Sequence, residues 1–123
     1  MKKIILMLSI GTFCFSCSNQ GGSGSTSSST GGGETDADKG LALIAKSDCL
    51  GCHKIKETSV GPAYNLVGQK YEATEANINT LAEKVQKGGS GNWGQVPMAG
   101  HPNISKEDAV LMVKYVLSLK DEK

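Results

Sequence analysis

The stretch SDCLGCHKIK, from Ser47 to Lys56, places two cysteines two residues apart and a histidine directly after the second cysteine. Three kinds of site use two thiols and an imidazole this close together: a redox-active disulfide, a zinc ion and a covalently attached haem. The candidate site residues are therefore Cys49, Cys52 and His53, and the rest of the chain has to distinguish among the three chemistries.

The first residues resemble a bacterial secretory signal that ends in a lipoprotein cysteine. Lys2 and Lys3 precede an apolar run that is shorter than the roughly 20 residues needed to span a bilayer. Cys17 follows a small residue at the end of this run, and lipoprotein signals are cut before such a cysteine, which then carries the lipid. Cys14 stands where a leucine is usual. We expect a signal peptide over residues 1–16 and lipidation of Cys17; an ordinary signal cut nearby is the alternative.

A glycine- and serine-rich segment follows, reading SNQGGSGSTSSSTGGG over residues 18–33. Such a composition behaves as flexible coil, and sixteen residues of it span roughly 20–24 Å. We expect residues 17–33 to be a lipidated cysteine with a flexible linker, and residues 34–123 to be the folded domain.

The composition of the folded part limits its function and its core. Residues 34–123 hold 11 lysines against 12 acidic residues, and the chain has no arginine, so no general basic surface for nucleic acid is expected. The part has four aromatic residues: Tyr64, Tyr71, Trp93 and Tyr115. A domain this small with so thin a core commonly depends on a cofactor or another internal support.

Helical periodicity is the main secondary-structure signal. Apolar residues repeat at helical spacing over 41–45, 78–85 and 109–117, and a shorter helical turn is predicted over 63–69. The predicted caps are Thr35 or Asp36, Thr74 and Ser105, with the Gly88-Gly89 pair ending the second helix. No alternating stretch indicates a strand, so we predict an all-α domain whose long irregular loops wrap a bound group.

The alternatives to haem lack parts that they require. A thioredoxin-like disulfide needs a βαβ setting, which the pattern does not predict. A structural zinc needs four ligands, whereas no cysteine follows Cys52 and His101 is the one other histidine. A haem needs two thiols for its vinyl groups and an adjacent imidazole for its iron, and all three are present in the motif.

The second axial position of the iron has three candidates. Met112 belongs to the apolar stripe of the last helix, which predicts a role in core packing. Met98 follows a proline in a glycine-rich loop and is the methionine left to ligate iron. His101 is the rival, although a solvent-facing loop position is the simpler interpretation for it. The choice affects function, because a thioether favours Fe(II) and raises the reduction potential.

These residues together resemble the small bacterial monohaem class I cytochromes c. The matching pieces are CLGCH, VGPAY, GNWGQVPM and the closing AVLMVKYVLSLK, and in this order they cover nearly all of residues 36–120. The resemblance implies the class I fold, with three main helices and a short one around one covalently attached haem c.

The resemblance also implies roles for individual residues. Cys49 and Cys52 would form thioether bonds, with His53 and Met98 as the ligands of the iron. The carbonyl of Pro62 would accept a hydrogen bond from His53 Nδ1, a contact that orients the ring. Two aromatic residues complete the set: Trp93 would pack at the haem edge, and Tyr115 would lie where the first and last helices cross. Plain core packing is the alternative for both.

The function expected from these features is one-electron transfer, not enzymatic catalysis. The expected partners are redox proteins such as a membrane reductase and a terminal oxidase or reductase, reached as a monomer tethered by lipid in the bacterial periplasm. Lys46, Lys54 and Lys56 are candidates for steering an acidic partner, or simply a solvated surface. A five-coordinate haem sensor or small peroxidase-like catalyst is the alternative if Met98 does not bind iron.

Overall fold

The computed structural model describes residues 33–123, so the predicted signal peptide, Cys17 and nearly all of the linker lie outside the described residues. The elements in chain order are α1 (Asp36–Ala45), α2 (Cys49–Cys52), α3 (Tyr64–Lys70), α4 (Glu75–Lys87), β1 (Gly89–Gly91), β2 (Gly94–Met98), α5 (Lys106–Ser118) and a 3-10 turn (Leu119–Asp121). The all-α class is confirmed for these residues, with the addition of one small hairpin. No helix in this range is long and apolar enough to cross a membrane.

The three main helices begin at predicted caps. The Thr35 side chain accepts from the backbone N–H of Asp38, whose carboxylate accepts from Thr35 in return, forming a capping box. Thr74 and Ser105 cap α4 and α5 by accepting hydrogen bonds from the backbone N–H groups of Asn77 and Asp108. These bonds satisfy amide donors that the first turn of a helix leaves unpaired, which is why the helices begin where they do.

Helix α5 lies at the centre of the packing and contacts α1, α3 and α4. One buried cluster joins it to α3 and α4, and consists of Val67, Ala82, Ala109, Val113 and Leu117. A second cluster joins it to α1 and α3, and consists of Ile44, Tyr64 and Met112. The predicted packing role of Met112 is thereby confirmed.

The crossing of α1 and α5 depends on a glycine. Gly40 is buried, and a Cβ at this position would collide with the carbonyl of Leu111 and lie 3.0 Å from Cβ of Tyr115. Tyr115 and Leu43 both pack against the second cluster, and Tyr115 lies at the helix crossing, as the resemblance implies. The absence of a side chain at Gly40 lets the two backbones approach closely.

The segment between α4 and α5 differs from the irregular loop that the sequence predicted. β1 and β2 pair antiparallel, with Gly89 opposite Met98 and Gly91 opposite Gly94. Three glycines of this hairpin have φ between 105° and 111°, a backbone region that residues with side chains rarely adopt. The hairpin therefore arises from glycine backbone geometry, without the alternation of apolar and polar residues that would predict it.

Candidate functional site

The two cysteines of the motif lie on a single helical turn. They occupy the first and last positions of α2, so their side chains are three residues apart and on the same side of the helix. Cys49 is half-buried and Cys52 is exposed. Burial raises the pKa of the Cys49 thiol, and the charge of Asp48 raises it further. The Cys49 thiol of the unmodified chain is therefore neutral at neutral pH.

His53 directly follows this turn and is held by a backbone carbonyl. Its Nδ1 lies 2.8 Å from the carbonyl oxygen of Pro62. Since a carbonyl can only accept, Nδ1 carries the hydrogen atom and donates the hydrogen bond. The lone pair of the neutral imidazole is then on Nε2, which is the state of a histidine ready to bind a metal.

Two further residues around the imidazole were not singled out by the sequence. Tyr64 stacks on the ring, with centroids 5.3 Å apart and the planes 19° from parallel. Gly61 packs so closely that a Cβ there would lie 2.5 to 2.9 Å from three atoms of the His53 ring. Both residues belong to the stretch GPAY, residues 61–64, which leads into α3. This stretch indicated a role in the site only as part of the family resemblance. These contacts restrict the orientation of His53.

The motif opens onto a cavity of about 300 Å³. This volume is at the lower end of the range found for small-molecule sites. All six predicted cofactor-binding residues line it: Cys49, Cys52, His53, Pro62, Trp93 and Met98. The apolar part of the lining includes Ile44, Val60, Val67, Leu81, Val85, Val96, Val113 and Val116. The structure thus brings residues from five helices and the hairpin to one apolar cavity.

Met98 reaches the cavity from the end of β2 and is half-buried. The chain after it packs tightly on the C-terminal end of α4. A Cβ at Gly88 would lie 2.6 Å from the backbone nitrogen of Gly100, and a Cβ at Gly100 would lie 2.9 Å from the carbonyl oxygen of Gln86. These close contacts hold the backbone that carries the methionine.

Trp93 lies in the turn of the hairpin and keeps 43% of its surface exposed. It lines the cavity and does not belong to either buried cluster. The core-packing alternative for Trp93 is therefore not supported, and the ring lies at the boundary between the cavity and solvent.

His101 is also on the cavity wall, contrary to the expected solvent-facing position. Its backbone N–H donates to the carbonyl of Val85 at 3.0 Å, which draws the loop onto α4. Its Nδ1 lies 3.7 Å from a carboxylate oxygen of Asp48, and 22% of its side chain is exposed. Sequence could not reveal this placement, because it depends on the path of the loop.

The residues around the cavity fit a covalently attached haem. Two thiols on one side of a helical turn can each form a bond to one edge of a porphyrin. Next to them, the hydrogen bond of Nδ1 leaves Nε2 of His53 free to coordinate, and the wall also presents the thioether of Met98. The remaining lining is largely apolar, which suits a large aromatic macrocycle.

Known proteins share this sequence and this fold. The family model described as Cytochrome c matches residues 37–120. Cytochrome c-551 of Allochromatium vinosum is 42% identical over 79 residues, which cover 64% of this chain and 84% of that protein. Cytochrome c-552 of Nitrosomonas europaea is 37% identical over 87 residues, which cover 71% of this chain and 81% of that protein. The crystal structure of wild-type N. europaea cytochrome c552 superposes with a TM-score of 0.60 at 35% identity, over 64% of this chain and 98% of that one.

Proposed function

The chain belongs to the cytochrome c family, and from that premise we propose that it is a one-electron carrier whose haem iron is ligated by His53 and Met98. The family binds one haem covalently through a pair of cysteines, which in this chain are Cys49 and Cys52. Its members carry electrons and are not enzymes. When bound, the haem supplies an iron that alternates between Fe(II) and Fe(III).

The observation that carries the proposal is the hydrogen bond between His53 and Pro62. With Nδ1 donating to the carbonyl at 2.8 Å, Nε2 is the nitrogen available to the iron. Stacking on Tyr64 and the close approach of Gly61 limit rotation of the ring. A ligand held this firmly supports electron transfer, because little has to rearrange when the charge of the site changes.

Met98 is proposed as the second ligand. It lines the same cavity as His53 but comes from β2, an element separated from the motif by forty residues of chain. Its thioether is a soft ligand, which favours Fe(II) and raises the reduction potential. The other methionine of the described residues, Met112, is part of a buried cluster and already has a packing role.

The test is a set of absorbance spectra of the holoprotein, oxidised and reduced, for the wild type and for Met98→Ala. We expect the weak long-wavelength band of methionine-ligated ferric haem in the wild type and its loss in the variant. Met112→Leu is the matched control, because it replaces a cavity-lining methionine with a residue of similar volume and is expected to keep the band.

Carbon monoxide binding separates the carrier from its alternative. A wild type that lacks the band and readily binds carbon monoxide when reduced has an open iron, and the proposal would give way to a five-coordinate sensor or a peroxidase-like catalyst. Loss of the band in Met112→Leu with retention in Met98→Ala would also overturn the assignment of Met98.

We further propose that the domain works as a monomer in the bacterial periplasm, between redox proteins such as a membrane reductase and a terminal oxidase or reductase. Contacts of this kind are small and transient. Of the three lysines considered for steering, Lys54 donates to the carbonyl of Leu50, and Lys56 pairs with Glu122 at 3.2 Å. Because Glu122 partly offsets the charge of Lys56, we favour Lys46 and Lys54 as the ones that attract an acidic partner.

Membrane attachment through a lipid on Cys17 is proposed from the signal-like segment and the glycine- and serine-rich segment after it. Tethering would raise the effective concentration of membrane-bound partners without new contacts. Detergent phase partitioning of the protein from whole cells tests this. Cys17→Ala is expected to move the protein to the aqueous phase. Cys14→Ala is the control and is expected to leave it in the detergent phase, since Cys14 precedes the proposed cleavage point; equal partitioning of both variants and the wild type would refute the anchor.

A further inference from the structure

The last residue of α3, Lys70, contacts the turn of the hairpin. Its Nζ donates a hydrogen bond to the carbonyl oxygen of Asn92 at 2.9 Å. The same ammonium lies 4.4 Å from the centroid of the Trp93 ring and 5.7 Å from that of Tyr71. One cation therefore contacts two adjacent residues of the turn, and of the two rings near it the indole is the closer.

The hairpin needs support from outside its own strands. β1 has three residues and β2 has five, and a two-stranded hairpin of this size is marginal alone in water. Its glycines at positions 89, 91 and 94 add conformational freedom that folding has to remove. Trp93 is not held by burial either, because 43% of its surface is exposed.

The contact between Lys70 and Trp93 is of a kind that orients an aromatic ring. A cation within about 6 Å of a ring centroid is attracted to the negative face of the ring, and tryptophan is the strongest such partner. The hydrogen bond to Asn92 fixes the ammonium at the same time. The Asn92 carbonyl and the Trp93 ring are therefore both held by the last residue of α3. Because Lys70 is exposed, the effect is expected at the lower end of the range for such contacts.

We propose that Lys70 is a positioning residue that orients Trp93 and keeps the hairpin closed against the cavity. This deepens the proposed function and rests on it, because the cavity wall matters as the wall of the haem site. Lys70 itself is absent from the cavity lining and acts through Trp93 and Asn92.

The test uses the holoprotein in its reduced state and three substitutions at one position. Lys70→Arg keeps a cation that can stack and donate. Lys70→Gln keeps a donor for Asn92 and loses the charge. Lys70→Met loses both. The readouts are the near-ultraviolet circular dichroism of Trp93, the one tryptophan of the chain, and hydrogen exchange of the backbone amides of residues 89–98.

We expect Lys70→Gln to exchange these amides about two- to fivefold faster, the factor that corresponds to a surface cation–π contact. Lys70→Met is expected to exchange them faster still and to weaken the tryptophan signal, whereas Lys70→Arg is expected to match the wild type. Exchange in α5 should not change in any of the three variants, because the effect is local. Lys87→Met is the control for charge, since Lys87 pairs with Glu83 at 2.9 Å, and the cation–π contacts found among the described residues both involve Lys70.

Unchanged exchange and an unchanged tryptophan signal in Lys70→Met would overturn the proposal. Failure of Lys70→Arg to match the wild type, or an equal effect of Lys87→Met, would also overturn it. These outcomes are separate from a failure of Met98 ligation, which would appear as a missing long-wavelength band in the wild type and would leave the comparison among the Lys70 variants intact.

Discussion

The carbonyl oxygen of Pro62 lies 2.8 Å from Nδ1 of His53, and this contact determines which nitrogen of the imidazole is free. Gly61, the residue before this proline, lies against the same ring, and its backbone N–H donates to the carbonyl of Cys52 at 2.9 Å. The segment that accepts the hydrogen bond of His53 is thus tied back to the cysteine motif. The part of the site around His53 is one short loop, residues 52–62, closed by the hydrogen bond from Gly61 to Cys52.

Gly61→Ala is expected to lower the free energy of unfolding of the holoprotein by about 1–3 kcal/mol, the usual cost of inserting a methyl group into tightly packed surroundings. The cause is the collision of the new Cβ with the His53 ring, which would have to move away from Pro62. Guanidinium unfolding followed by circular dichroism measures the change.

Gly51→Ala provides the matched control in the same motif. Apart from its chain neighbours and the backbone of its own helix, no atom of the described residues lies within 4 Å of a Cβ at Gly51. The residue is part of α2, where alanine is preferred to glycine. We expect this variant to be as stable as the wild type or slightly more stable. Equal losses at the two glycines would show that the motif is sensitive to any substitution and that the contact with His53 is not the reason.

The helices and their caps were predictable because they depend on local patterns. Thr74 and Ser105 begin α4 and α5, as their sequences indicate, since a capping hydroxyl acts on an amide only three residues away. The hairpin was not predicted, because it lacks such a local pattern. Its strands are built on glycines with positive φ, and β1 and all but the last residue of β2 are exposed, so they carry no periodic signal.

The site was predictable where its residues are adjacent in sequence and only partly elsewhere. Cys49, Cys52 and His53 form one motif, and Met98 was selected because few other methionines remain. The position of His101 on the cavity wall depends on a bond from its backbone to Val85 in another element. The contact of Lys70 with Trp93 joins residues far apart in the chain, and no spacing rule indicates it.

Gly40→Ala tests the close crossing of α1 and α5. In a helix this substitution normally stabilises by about 0.4–1 kcal/mol, because alanine has less backbone freedom to lose. Here the added Cβ meets the backbone of Leu111 and the Tyr115 side chain, so we expect a loss of about 1–3 kcal/mol. Urea unfolding gives the sign directly. Lys39→Ala, at an exposed position of the same helix, is expected to change stability by less than about 0.5 kcal/mol.

Leu117→Ala tests the cluster that joins α5 to α3 and α4. Leu117 is 2% exposed, and removing a buried leucine side chain costs about 2–5 kcal/mol through lost burial and the cavity left behind. Leu66→Ala, at a position that is 37% exposed, is expected to cost clearly less. Chemical unfolding of both holoproteins measures the difference. Similar losses would mean that this cluster does not dominate the packing of the domain.

The ion pair between Asp36 and Lys114 links the start of α1 to α5 across 78 residues of chain. The hydrogen bond and charge of Lys114 lower the pKa of Asp36 below its ordinary value of 3.8. A lowered pKa means that the pair contributes to stability above 3.8 and that the contribution is lost as pH falls through the folded-state pKa.

Asp36→Asn is therefore expected to be less stable than the wild type at neutral pH, with the difference shrinking as pH falls below 3.8. Urea midpoints across this pH range measure it, and added salt should reduce the difference because both side chains are partly exposed. Lys114→Gln should give the same pH dependence, and the double variant should lose little more than either single one, since each removes the same pair. Additive losses in the double variant would instead assign the effect of Asp36 to the position of its charge in the first turn of α1.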